Sequence, residues 1–138
     1  MIKENKILIV EDDEGDLEYI QEYLSNPDLP SRLGVRYTMD TAVRMAESLE
    51  LLGKNAYDLV LLDLSLPDST GLDSLIKVRE KSPEVPIIIL TGLHDLDTSV
   101  KAMEKGASHY FVKGFIDRDE LVRNMNEVID NFGNRRGD

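Results

Sequence analysis

The sequence predicts an α/β domain in which a parallel sheet is covered on both faces by helices. Three observations carry that expectation. Five short aliphatic runs, rich in β-branched residues, recur along the 138 residues, as expected of strands buried on both faces. Each is followed by a longer segment with apolar residues at helical spacing, and such alternation selects a parallel sheet joined by right-handed crossovers. The length suits one domain with one sizeable core and no cross-links. The domain is expected over residues 1–138, with a core at 6–131 and a polar tail at 132–138.

Taken in order, Ile7-Leu-Ile-Val10 is the first strand. Leu17, Ile20 and Leu24 follow at helical spacing, and Asn26-Pro27 stops that helix. Gly34-Val-Arg-Tyr-Thr38 alternates more weakly and suits a sheet edge. Ala42, Met45, Ala46, Leu49 and Leu52 mark the second helix, with Gly53 as its C-terminal cap. Asp58-Leu-Val-Leu-Leu62 is the third strand. Leu72, Leu75 and Ile76 open the third helix, which ends before Pro83. Pro86-Ile-Ile-Ile-Leu90 is the fourth strand, with proline at its first residue, where it costs least. Val100 and Met103 lie in a short fourth helix ending near Gly106. Residues 108–112 form the fifth strand. Leu121, Val122, Met125, Val128, Ile129 and Phe132 line the last amphipathic helix, with Asp117 as its cap and Glu120 as the capping-box partner.

Composition narrows the function classes. Lys plus Arg is 16 against 27 for Asp plus Glu, a formal net charge of −11. Such a surface repels a phosphate backbone and an anionic bilayer, so neither direct nucleic-acid binding nor membrane docking is expected. Cysteine is absent, which excludes disulfides, thiolate metal sites and thiol catalysis. No apolar run approaches the roughly 18 residues of a membrane span. The first ten residues lack a signal-peptide cleavage site. A cytoplasmic location is therefore expected.

In an open parallel sheet, ligands bind beyond the carboxyl ends of the strands. Glu11, Asp12 and Asp13 follow the first strand, Asp63 the third, and Thr91 and Gly92 the fourth, while the fifth ends at Lys113. The fold brings all of these to one edge. Converging carboxylates raise one another's pKa, and a divalent cation relieves that cost. An all-oxygen donor set suits Mg²⁺ or Mn²⁺. Lys113 can meet a phosphoryl oxygen, Thr91 offers a hydroxyl, and Gly92 leaves room for approach. Asp63 is then a carboxylate nucleophile able to form an aspartyl phosphate. Phosphoryl transfer asks mainly for positioning and charge neutralisation, and this set supplies both.

Ile7-Leu-Ile-Val-Glu-Asp-Asp13, Leu61-Leu-Asp-Leu-Ser-Leu-Pro-Asp-Ser-Thr-Gly71, Ile88-Ile-Leu-Thr-Gly92 and Gly106-Ala-Ser-His-Tyr-Phe-Val-Lys113 together resemble the receiver domain of two-component response regulators. The resemblance implies a flavodoxin-like, doubly wound sheet of order 2-1-3-4-5 with five helices. It implies phosphoryl transfer to Asp63 from the phosphohistidine of a sensor histidine kinase or histidine phosphotransfer protein. It implies a metal held by Asp12, Asp63 and the Ser65 carbonyl, with Glu11 holding metal-bound water. Asp13 is then an extra neighbour, and a one-residue shift of that register stays open. Thr91 and Tyr110 correspond to the family's switch pair, whose movement alters a surface for a downstream effector protein or domain. A phosphorylation-dependent homodimer is compatible with this reading. The domain is then a switch more than an enzyme, with intrinsic autophosphorylation and slow autodephosphorylation. One residue departs from the pattern: Gly114 stands where the family usually has proline. The Lys-Gly pair and Leu66-Pro-Asp-Ser-Thr-Gly-Leu72 resemble receivers that open larger signalling proteins. The chain is thus a stand-alone regulator or a piece of a longer one.

Other readings compete residue by residue. Glu14 and Asp16, like the acids before them, also suit a helix start, where the dipole favours negative charge. Asp68 and Asp73 suit turn and cap positions. His94 and His109 form no metal motif. A phosphohydrolase with an aspartate nucleophile needs a second acid two residues on, and that position is Ser65. A flavin or nucleotide site needs a neutral, amide-rich loop, whereas the loop after the first strand is Glu-Asp-Asp-Glu-Gly-Asp. The alternative within the family is a degenerate receiver that acts only as a protein-interaction module.

Overall fold

The computed structural model describes residues 2–25 and 29–135. The expected helix stop at Asn26-Pro27 and the last three residues of the tail lie outside these. The elements run β1 (Lys3–Val10), α1 (Glu14–Ser25), a short α2 (Leu29–Arg32), β2 (Val35–Ala42), α3 (Met45–Lys54), β3 (Leu59–Leu62), β4 (Ser65–Leu66), β5 (Ser69–Thr70), α4 (Leu72–Lys81), β6 (Ile87–Thr91), α5 (Leu96–Glu104), β7 (His109–Val112) and α6 (Arg118–Arg135). Five strands form one sheet in the order β2-β1-β3-β6-β7, and every neighbouring pair is parallel. With the β4-β5 hairpin set aside, this is the order 2-1-3-4-5.

Side chains alternate across a strand, and here both faces are apolar. Ile7, Ile9, Leu59, Leu61, Ile88 and Leu90 pack with Ile20 and Leu24 of α1 and Val122, Met125 and Ile129 of α6. Leu8, Val10, Val60, Leu62, Ile87 and Ile89 pack with Met45 of α3, Leu75 and Val78 of α4, and Ala102 of α5. The three central strands are thus sealed on both faces, each aliphatic side chain contributing about 1.5–3 kcal/mol through burial. No helix among the described residues is long and apolar enough to cross a membrane.

Several boundaries differ from the sequence expectation. β2 reaches Ala42, because all eight residues of β1 find a partner in register from Lys3↔Val35 to Val10↔Ala42. Ala42 therefore closes a strand instead of opening a helix. Gly53 lies inside α3, and the extended Asn55 ends that helix by donating its backbone N–H to the Leu51 carbonyl. Asp117 does cap α6, accepting the Asp119 N–H at 2.8 Å. The hairpin and α2 have no counterpart in the periodicity.

Two polar ties hold the loops to this frame. Asp68, at the hairpin tip, accepts the N–H groups of Met45 and Ala46 at 2.7 and 3.0 Å. It thereby satisfies two donors at the start of α3 that the helix itself cannot. These bonds hold its carboxyl below the ordinary aspartate range. At the strand-entry end, Arg79 of α4 donates to the carbonyls of Ser82, Pro83, Val85 and Gly106 at 3.3, 3.2, 2.7 and 2.9 Å. One planar guanidinium thus serves the end of α4, the entry to β6 and the turn before β7. Arg79→Met is expected to cost about 1.5–3 kcal/mol, the scale of hydrogen bonds to a charged group, in urea denaturation. Arg79→Lys should not restore it, because an ammonium lacks the fork that reaches these segments together. Wild-type stability in both variants would show that the tie carries no energy.

Candidate functional site

The parallel register assembles the site. Val10 pairs with Leu62 and Thr91 with Val112, so residues 11 and 63 emerge side by side, and Lys113 leaves its strand one residue past the partner of Thr91. Backbone bonds continue past the strands: Glu11 N–H donates to the Ala42 carbonyl at 2.9 Å, Asp63 N–H to Val10 at 3.0 Å, and Lys113 N–H to Thr91 at 2.8 Å. Glu11, Asp63 and Lys113 are therefore rooted on sheet-like backbone, not on free loop.

Asp63 is 4% exposed. Its Oδ1 accepts the Thr91 hydroxyl at 2.7 Å and the Ser65 N–H at 3.1 Å. Its Oδ2 accepts Lys113 Nζ at 2.9 Å. Glu11 is 1% exposed. Its Oε2 accepts the Asp13 N–H at 3.1 Å, and its Oε1 lies 2.5 Å from Lys113 Nζ. That second contact is an ion pair without hydrogen-bond alignment, so Oε1 is a buried acceptor with no directional donor. Asp12 is exposed. Oxygens of Glu11, Asp12 and Asp63 all lie within 4.8 Å of one another.

Charge in this pocket is uneven. Burial pushes the Glu11 carboxyl up to about 7; the Lys113 ammonium opposes this, and neighbouring Asp63 adds to it. Asp63 goes the other way. Burial acts to raise it, yet the bonds it receives from Glu11, Thr91, Lys113 and the Ser65 N–H hold it below the ordinary aspartate value. Lys113 is desolvated too, but Asp16, Glu11 and Asp63 outweigh that and raise it above the usual lysine value. Burial thus disfavours charge on Glu11, while the bonds to Asp63 favour charge there.

The structure brings Glu11, Asp12, Asp63, Thr91 and Lys113 together at one end of the sheet. Asp13 is used otherwise: its Oδ1 accepts the Asp16 N–H at 2.8 Å and caps α1. Ser65 lies in β4 and touches Asp63 through its N–H. Tyr110 is half-buried and donates its hydroxyl to the Leu93 carbonyl at 2.7 Å, while the Leu93 N–H approaches Thr91 Oγ1 at 3.3 Å. One peptide residue thus touches both members of the expected switch pair. Among the described residues every peptide bond is trans, and Gly114 has φ +86°. A Cβ at Gly114 would meet nothing within 4 Å, so backbone conformation and not space favours glycine there. Asp16 is the residue the sequence reading left as a helix-start acid; its Oδ2 lies 2.9 Å from Lys113 Nζ.

A family model for the response regulator receiver domain matches residues 7–126. The regulatory protein LuxO of Vibrio cholerae is 43% identical over 83 residues, which are 60% of this chain and 18% of LuxO. The cell cycle transcriptional regulator CtrA of Caulobacter vibrioides is 34% identical over 124 residues, 90% of this chain and 50% of CtrA. The chain thus spans half or less of the length of these relatives. A solved CheY-like receiver domain protein from Methanospirillum hungatei JF-1 is 27% identical and superposes with a TM-score of 0.80 over 98% of this chain and 99% of that one. Sheet order, convergent strand ends and a match across the core give one conclusion: the chain belongs to the response regulator receiver domain family of two-component signalling.

Proposed function

We propose that this chain accepts a phosphoryl group on the Asp63 carboxylate and passes the change to a partner as a switch. The observation that carries the reading is a buried carboxylate, held ionised, that is bonded at once to a hydroxyl and an ammonium and flanked by two further carboxylates within 4.8 Å. In the proposed step, an Asp63 oxygen forms a bond to phosphorus as the P–N bond of a phosphohistidine breaks. The imidazole leaves with the electron pair and takes up a proton. Lys113 neutralises charge on the transferred group, and Thr91 can turn its hydroxyl from Asp63 Oδ1 to a phosphoryl oxygen. The donor is a sensor histidine kinase or a histidine phosphotransfer protein, and the recipient of the signal is an effector protein or domain.

The donor set fits a hard divalent cation. Glu11, Asp12 and Asp63 offer oxygens at the right mutual spacing, and Glu11 Oε1 is buried without a directional donor. With the Ser65 carbonyl, these residues would hold Mg²⁺ or Mn²⁺. The ion, when bound, supplies further positive charge against the phosphoryl oxygens. Thr91 and Tyr110 are the proposed switch, since both touch Leu93: a Thr91 hydroxyl turned toward the phosphoryl group frees the Leu93 N–H, and the loop that holds Tyr110 can shift.

Two measurements test this reading. Incubation with acetyl phosphate and Mg²⁺ should add the mass of one phosphoryl group to the wild-type chain and none to Asp63→Asn; Lys113→Ala should slow the gain about 10²-fold. A folded wild type that gains nothing would instead be an interaction module independent of phosphorylation. The second concerns pH. Burial pushes the Glu11 carboxyl up to about 7, and a carboxylate that holds a cation or its water must be ionised. Mg²⁺ affinity should therefore rise as pH increases through 7, with proton release seen by calorimetry, and Glu11→Gln should flatten the profile. An equally steep profile in Glu11→Gln would place the titrating group elsewhere.

A further inference from the structure

Lys113 Nζ contacts three carboxylates. Two of them, Glu11 and Asp63, belong to the constellation already described. The third is Asp16 Oδ2, at 2.9 Å. Asp16 lies on the first turn of α1, 97 residues from Lys113 in sequence. Its backbone is fixed by the Asp13 cap, and its side chain is 47% exposed while that of Lys113 is 21% exposed. Among the described residues it is not in the carboxylate group that can share a cation.

That difference gives Asp16 its own part. A cation and a phosphoryl group would engage Glu11 and Asp63, and both would then be lost as steady partners for Lys113. Asp16 is the anchor that remains. A lysine ammonium on a four-carbon stem has many rotamers, and ordering it costs entropy. A charge-assisted hydrogen bond from a capped helix turn removes much of that search before the reaction.

We propose that Asp16 is a positioning residue that holds the Lys113 ammonium at the site, so that its remaining N–H groups face the incoming phosphoryl oxygens. The proposal rests on Asp63 as phosphoryl acceptor. With acetyl phosphate, an Asp63 oxygen bonds to phosphorus as the P–O bond to the acetyl group breaks, and acetate leaves with the electron pair.

The test is the phosphorylation rate with acetyl phosphate at saturating Mg²⁺ in five proteins: wild type, Asp16→Asn, Asp16→Glu, Lys113→Ala, and the double variant Asp16→Asn with Lys113→Ala. Asp16→Asn should slow the reaction about tenfold, with Mg²⁺ affinity unchanged, and Asp16→Glu should recover part of the rate. In the Lys113→Ala background, Asp16→Asn should change nothing, which a purely structural role would not produce. An unchanged or faster Asp16→Asn overturns the proposal, and so does an equal slowing in the Lys113→Ala background. A second readout needs no phosphorylation: ¹³C relaxation at Lys113 Cε, with Mg²⁺ present, should show an ordered side chain in wild type and a mobile one in Asp16→Asn. Equal order in both overturns the positioning role. A wild type that takes no phosphoryl group, yet shows the loss of order, would overturn the reading of Asp63 and leave the Asp16 anchor standing.

Discussion

The structure depends on one ammonium group among buried carboxylates. Glu11 and Asp63 sit almost without solvent at the end of the sheet, and two adjacent buried carboxylates cannot both stay ionised without help. Lys113 Nζ stands against both, with Asp16 as a third partner. The bonds Asp63 receives from Glu11, Thr91 and Lys113 together hold its carboxyl below the ordinary aspartate value, while burial pushes that of Glu11 up to about 7. A buried, anionic Asp63 beside an oxygen of Glu11 with no directional donor is the result, which is the arrangement the proposed phosphoryl transfer would use. Burial of the strands creates that tension, because the same aliphatic packing that rigidifies β1, β3 and β6 excludes water from the acids at their ends.

The fold separates what must stay fixed from what must move. The strand residues behind the site are sealed on both faces, and their backbone ladder extends to Glu11, Asp63 and Lys113 themselves. The surrounding loops carry the exposed or adaptable parts: Asp12, Gly92, Leu93 and Gly114. Asp68 pins the hairpin that follows Asp63 to α3, so the loop on that side is braced. In the loop after β6, Leu93 links Thr91 to Tyr110 through one hydrogen bond to each. This contrast supports the proposed switch through Thr91, Leu93 and Tyr110 over one through the hairpin.

Much of this was legible in the sequence because parallel sheets convert strand ends into a common edge. Residues 11, 63, 91 and 113 each directly follow or close an aliphatic run, and no side-chain detail was needed to bring them together. The hairpin was not legible, since strands of two residues have no period. Ala42 fits the spacing of the helical apolar residues after it equally well, and only the length of β1 decides that it belongs to β2. Gly53 reads as a helix stop by type, yet α3 runs through it to Lys54. Asp16 was hidden for a different reason. Its contact with Lys113 depends on the side-chain geometry at the start of α1, beyond the face that Ile20 and Leu24 pack into the core, and hydrophobic spacing does not report that. Gly114 signalled a departure from the family pattern, and its positive φ shows what the change accommodates.

The proposed reactive centre gathers Thr91 and Lys113 about the two oxygens of one carboxylate, that of Asp63. A crystal structure of the protein with Mg²⁺ and beryllofluoride, a mimic of a phosphoryl group, tests it most directly. Beryllium should be bonded to an Asp63 oxygen, with Thr91 Oγ1 and Lys113 Nζ each contacting fluorine and the cation held beside Glu11 and Asp12. Beryllofluoride bound to another carboxylate, or a clean Asp63 beside an occupied cation site, would contradict it.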